Sequence, residues 1–240
     1  MYQELKGLID KLEIRREKAA KLVSSGGALR HQFEINPDDF LQRAEDDYEQ
    51  GNSINSITNA KRAIHCQIDQ VLAVFGFNVR YWNSPRKTEL FVRLGFVVPR
   101  ILKDINDARN VLEHEYIPPT EKQVKEALDI AVLFVNAACR HLDLFMDEFS
   151  IGNFDERVSD FCFRKELRVS FCEQQKSCIV QAWTDVDFKN EGSKRSLLGE
   201  VYVNAKHELF KDLICLTIAG TRKNKVEKAL NTLFDNLEGI

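Results

Sequence analysis

Ser150-Ile151-Gly152-Asn153 is where the chain changes period. Before it, apolar residues recur at the three- and four-residue spacing of helices; after it they alternate, as on a half-buried strand. Phe161, Phe163, Leu167, Val169 and Phe171 hold mostly every second position, and after Glu173-Gln174-Gln175-Lys176 the positions Cys178, Val180, Ala182, Val186 and Phe188 largely do the same. That pattern predicts a hairpin. Leu198 to Ala205 and Leu213 to Ala219 read as two more strands, and Val226, Leu230, Leu233 and Leu237 mark a terminal helix capped near Thr221. The expected fold class is α+β: a helical bundle over residues 1–152, then a small antiparallel sheet with a C-terminal helix over 153–240.

Reading back from the switch, Thr120 caps the last long helix. Val124, Leu128, Ala131, Val135, Ala138 and Leu142 share one face, with Val132, Leu133 and Phe134 beside them. So wide an apolar surface implies burial on two sides. Ile117-Pro118-Pro119 ends the helix before it, because the prolines cannot continue helical geometry. Further back, Ile54, Ile57, Ala60, Ile64, Ile68, Val71, Leu72 and Phe75 form the central core helix, for which Ser53 is a suitable cap. Asn36-Pro37-Asp38-Asp39 starts a helix that runs to about Gln50 before Gly51-Asn52 stops it. Residues 3–24 are helix-rich in composition, and Ser24-Ser25-Gly26-Gly27 ends them.

At 240 residues with 44% hydrophobic composition, the chain can build real cores without staples. The six cysteines stand singly, without the close pairs of a zinc site, and read as buried thiols of a reducing compartment. No run approaches a membrane span and no leader pattern opens the chain, so a cytoplasmic location and no membrane partner are expected. Net charge is −3, yet residues 51–100 carry 7 Lys or Arg against 2 Asp or Glu. Such a window suits a polyanion partner or a solvated basic face. Among these residues Lys61 and Arg62 lie off the centre of the core-helix stripe, as does His65, which reads as a polar neighbour. Val79-Arg80-Tyr81-Trp82-Asn83-Ser84-Pro85-Arg86-Lys87 mixes aromatic and basic side chains in an expected loop. Arg80, Tyr81, Trp82, Arg86 and Lys87 suit stacking and charge contact with unpaired bases, or a hydrophobic anchor with a charged rim.

Asp107-Ala108-Arg109-Asn110-Val111-Leu112-Glu113-His114-Glu115-Tyr116 carries the chemistry expected of the helical part. Ile101, Ile105, Ala108 and Leu112 form its apolar stripe, and His114 falls away from it, about 40° from Asn110 in projection. Arg109 stands at the stripe's other margin, about 140° from His114. Imidazole transfers protons near neutral pH, and the guanidinium fork grips phosphate. Two such helices facing across a dyad would bring the two groups onto one phosphate.

The run Arg-Asn, three residues, His, one residue, Tyr resembles the Arg-x4-His-x-Tyr signature of HEPN domains (higher eukaryotes and prokaryotes nucleotide-binding). With the flanking pattern from Ala44 to Asn52 and the helix carrying Ala60, Ala63 and Ile64, the resemblance covers roughly residues 36–148. It implies a helical bundle acting as a metal-independent endoribonuclease that needs no cofactor, a homodimer with a composite site, and a toxin or defence role. In that reading RNA is the partner, Arg109 holds the phosphate, Asn110 orients substrate, and His114 exchanges protons. Tyr116 matches a tyrosine that nucleotidyltransferase antitoxins adenylylate in some toxin-antitoxin systems. The alternative is a non-catalytic HEPN-like module that dimerises or binds RNA or nucleotide and recruits a partner through its C-terminal domain. In that domain Lys189 to Ser196 reads as a polar loop and Gly220-Thr221-Arg222-Lys223 as a helix cap, with no phosphate-loop motif.

Overall fold

Asn36 and Thr120 begin the two ends of a helical unit by the same device. Asn36 N–H donates to Asp39 Oδ2 at 2.7 Å while its own side chain serves the backbone of that turn, a reciprocal capping box, and Pro37 follows with its angle preset. α2 (Pro37–Glu49) results. Thr120 N–H donates to Gln123 Oε1 at 2.8 Å and Gln123 N–H donates back to Thr120 Oγ1 at 3.3 Å, which opens α5 (Glu121–Asp143). Between them α3 (Ser53–Val74) is capped by Asn52, whose Oδ1 accepts from Asn55 N–H at 3.3 Å, one residue earlier than the Ser53 cap expected from sequence. α4 (Ser84–Arg93) follows.

A computed structural model describes residues 1–30, 33–98, 116–160, 162–185 and 195–239. It is α+β, with seven α-helices and a five-stranded antiparallel sheet among the described residues. The chain forms two compact units: Arg30–Val92 with Phe96–Asp143, and Met1–Leu29 with Arg93–Gly95 and Leu144–Ile240.

In the first unit α2 and α5 pack on α3. Ile57, Ala60, Ala63, Ile64, Ile68, Val71 and Leu72 are buried as the periodicity requires, whereas Ile54, in the first turn, stays exposed. Small residues let α2 and α3 approach: Ala44 and Ala60 are wholly buried, and Ser56 Oγ donates to the Ala44 carbonyl at 2.8 Å. Phe91 stacks on Phe96 with ring centres 4.5 Å apart and tilts against Phe134 at 5.7 Å. On α5 Leu133 remains 70% exposed, so part of its apolar surface is uncovered among the described residues.

In the second unit α1 (Tyr2–Leu12) precedes β1 (Ala19–Gly27), and β2 (Phe145–Asn153), β3 (Lys165–Cys172), β4 (Ser177–Asp185) and β5 (Arg195–Asn204) complete the sheet in the order β1-β2-β3-β4-β5. Lys21, Ile151, Leu167, Ala182 and Gly199 lie in one cross-strand row. α1 and α6 (Glu208–Ala219) pack on the sheet, Leu8 sitting so close to Gly199 that a Cβ there would meet it at 3.0 Å. α7 (Lys223–Glu238) packs on α6 and α1.

Three sequence expectations change here. Residues 3–24 do not form one helix: α1 stops at Leu12, and Ala19-Ala20-Lys21-Leu22, good helix formers, become strand because β2 pairs with them. Tertiary pairing overrides local propensity. The stretch 150–153 is the last part of β2, and the sheet unit begins at Leu144 and takes in residues 1–29, so the boundary drawn at 152/153 falls inside its chain. Gly152 serves packing here, since a Cβ would lie 2.4 Å from the Phe163 ring. Leu213–Ala219, expected as a strand, belongs to α6. That helix is buried nearly all round, and an apolar run without a polar face carries no period to read.

Candidate functional site

The signature residues Arg109, Asn110 and His114 lie outside the described residues. The signature's last member is visible. Tyr116 has φ 57, a left-handed conformation unusual for a residue other than glycine, and is 85% exposed immediately before Ile117-Pro118-Pro119. Its hydroxyl is therefore open to a reagent.

The basic segment is built on α3 and the start of α4. Arg62, His65 and Asp69 recur along α3 at three- and four-residue spacing and so share a face. His65 Nε2 lies 3.5 Å from Ser84 Oγ, and Asp69 Oδ2 pairs with Lys87 Nζ at 2.8 Å. Both contacts join α3 to the first turn of α4. Asn83 caps that turn, its Oδ1 accepting from Arg86 N–H at 3.0 Å. Ser84 to Lys87, expected within a loop, are helical for this reason. Arg62 Nη1 donates to Asn59 Oδ1 at 3.2 Å, and Asn59 Nδ2 donates to Asp47 Oδ2 at 2.8 Å, which fixes the guanidinium against α2 and α3. Lys61 is half-buried on α3.

The aromatic residues hold two further guanidinium groups. Arg86 lies over the Trp82 ring at 3.9 Å from its centre, and Arg80 lies 5.6 Å from that of Tyr81. Tyr81 is 86% exposed. Of the expected contact residues, Arg80, Tyr81 and Arg86 face solvent, Trp82 is half-buried beneath Arg86, and Lys87 and Arg62 are committed to intramolecular partners. The arrangement offers an exposed ring and planar cations, the groups that stack on bases and meet phosphate. Close by, burial followed by the charges of Asp69 and Asp39 pushes the Cys66 thiol up to about 11, so it is no nucleophile at neutral pH.

The sheet unit holds polar groups that the sequence reading passed over. Glu166 is fully buried and accepts from Phe163 N–H at 3.1 Å, Arg168 Nη2 at 2.6 Å and Arg195 Nη1 at 2.7 Å. Alternation could have placed Glu166 and Arg168 on one face, but nothing local announces Arg195. Asp212, also buried, accepts from Tyr2 Oη at 2.9 Å and Asn236 Nδ2 at 2.8 Å. Lys21 points from β1 to the C-terminal end of α6, donating to the carbonyls of Leu216 at 2.5 Å and Gly220 at 3.0 Å with Phe149 beneath it. Burial pushes its ammonium down to about 7, while the negative end of the helix favours the charge. These three clusters tie elements together.

Among the described residues no group of His, Cys, Asp and Glu is arranged to hold a metal ion, and no helix is long and apolar enough to cross a membrane. Comparison with family models, with curated proteins and with solved structures found no match.

Proposed function

We propose that the chain is a metal-independent endoribonuclease with a HEPN-like helical bundle, working as a homodimer in a toxin or defence role. The observation that carries this reading is the spacing Arg109-Asn110-x3-His114-x-Tyr116. Support comes from the helices α2 and α3 before it, α5 after it, and the exposed Tyr116 at its end. The uncovered apolar surface of α5 supports self-association.

In this reading the ribose 2′-oxygen attacks phosphorus as His114 of one protomer takes its proton. The bond from phosphorus to the 5′-oxygen breaks, that oxygen receives a proton from the second His114, and a 2′,3′-cyclic phosphate remains. Arg109 stabilises the charge on the phosphorane with two hydrogen bonds, and Asn110 orients the substrate. Tyr81 with Arg80 and Arg86 with Trp82 hold flanking RNA by stacking and charge. A nucleotidyltransferase antitoxin that adenylylates Tyr116 would silence the site.

Purified protein incubated with mixed RNA in EDTA tests this directly. Cleavage should continue, leave cyclic phosphate ends, and fall roughly 100-fold or more in His114→Ala. Arg109→Lys should also be impaired, because an ammonium cannot reproduce the fork. Cleavage lost on chelation, or unchanged in a folded His114→Ala, would rule the mechanism out.

A further inference from the structure

Lys21 sits within β1 and reaches the C-terminal end of α6. Its Nζ donates to the carbonyls of Leu216 at 2.5 Å and Gly220 at 3.0 Å, and the centre of the Phe149 ring lies 4.7 Å away. Lys21, Gly220 and Thr221 line a cavity of about 820 Å³, which Leu22, Val23, Phe154, Val226 and Leu230 make largely apolar. One of the two carbonyls that hold the amine thus belongs to a residue of the cavity wall, which places Nζ at the edge of the space. An ammonium has three N–H donors, and the carbonyls take two. When the third proton leaves, both hydrogen bonds stay and a lone pair replaces it. Burial, which pushes this ammonium down to about 7, makes the neutral amine its main form above that pH. The charged groups around it are committed elsewhere. Asp155 pairs with Lys18, Asp160 with Arg157 and Glu227 with Lys223, while Glu17 is exposed. On α6 burial raises the Cys215 thiol and keeps it neutral, and on β2 the neighbours Phe149 and Ile151 are apolar. A desolvated amine beside an apolar cavity is a nucleophile for carbonyl carbon.

We propose that Lys21 is a covalent capture site for aldehydes that carry an apolar chain or ring. The lone pair of Nζ attacks the carbonyl carbon, a proton passes from nitrogen to oxygen, and the carbon–oxygen bond then breaks to release water. The imine nitrogen takes one proton from solvent and becomes a cation. The surroundings select this product. Its remaining N–H donates to one of the two carbonyls, and both the negative end of α6 and the face of Phe149 favour positive charge. A carbamate formed from carbon dioxide, or an aldehyde bearing a carboxylate, would set negative charge against the same carbonyls. The apolar body of the aldehyde is buried on Val226, Leu230 and Phe154.

The test incubates the full chain with octanal, phenylacetaldehyde, formaldehyde or glyoxylate in the presence of cyanoborohydride. Hydride adds to the iminium carbon and fixes the adduct as a secondary amine, and peptide mass spectrometry reads each lysine separately. Near neutral pH, octanal and phenylacetaldehyde should label Lys21 about tenfold or more faster than Lys122 and Lys223, whose side chains are 84% and 86% exposed. The rate at Lys21 should level off above about pH 7 while the exposed lysines keep gaining with pH. Glyoxylate should lose most of the preference. Val226→Gln, on the cavity wall, should slow octanal at Lys21 about threefold or more and leave formaldehyde unchanged. Octanal labelling of Lys21 no faster than that of Lys122 would leave Lys21 a helix-end contact alone and overturns the proposal. An equal preference with glyoxylate, or a rate at Lys21 that climbs with pH in parallel with the exposed lysines, overturns it as well.

Discussion

In the helical unit α2 hands the chain to α3 across Gln50–Asn52, whereas in the sheet unit β1 finds its partner in β2 about 130 residues further on. The first is held together from nearby: a capping box at Asn36, a cap at Asn52, and Ser56 bonded to Ala44. The second is held by ties between distant segments. Buried Asn153, at the end of β2, accepts from Arg15 N–H at 2.9 Å and donates to the Glu13 carbonyl at 2.9 Å, which fixes the turn between α1 and β1. Tyr2, Arg93 and Asn236 converge on Asp212. Neighbouring contacts make the one unit tolerant of loss elsewhere, and distant contacts make the other depend on all its parts.

The hardest trial of that contrast is removal of residues 1–27. The sheet unit loses α1, whose Leu5, Leu8, Ile9 and Leu12 are buried, together with an outer strand. Hydrogen exchange should show β2 to β5 unprotected while amides of α3 and α5 keep their protection. Loss of both together would break the contrast. A smaller step is Phe163→Ala, which empties the space against Gly152 and should cost about 3–5 kcal/mol in denaturant unfolding. That loss should appear in the sheet unit's transition alone.

The pH dependence sharpens the contrast further. Lys21 titrates at about 7 when folded, against the ordinary 10.5. Between these values the unfolded chain carries the extra proton, so stability of the sheet unit should rise with pH, by at most about 1.4 kcal/mol per pH unit. Below about pH 7 both states are protonated and the penalty is constant. Thermal melts from pH 7 to 10 should show this slope and lose it in Lys21→Met; an unchanged slope would place its origin elsewhere. The smallest effect is Thr120→Ala, which removes half of the capping box of α5 and should cost about 1 kcal/mol, confined to the helical unit.

The same difference decides what the sequence made legible. α2, α3 and α5 were readable because caps and an apolar stripe lie within a few residues of one another, and the β3–β4 hairpin because its partners adjoin. β1 was not, since Ala19 to Leu22 become a strand only through β2. α6 was not, since burial on every side erases its period. In the candidate site, composition pointed to Arg80, Tyr81 and Arg86, and all three side chains are exposed. It could not tell that Asp69 holds Lys87 or that Asn59 holds Arg62, because those partners are set by how α3 meets α4 and α2.

The separation of β1 from β2 also has a meaning on the ribosome. At a synthesis rate of about 5–20 residues per second, β1 emerges roughly 7–25 s before β2 exists. During that interval Ala19 to Gly27 has neither its neighbour nor the rest of the sheet, and its bonding groups are open to any nascent chain nearby. The composition of the strand suits such a wait. Lys21, Ser24, Ser25, Gly26 and Gly27 make it a poor template for cross-β growth, and its charge enters the folded interior only once α6 arrives to receive it.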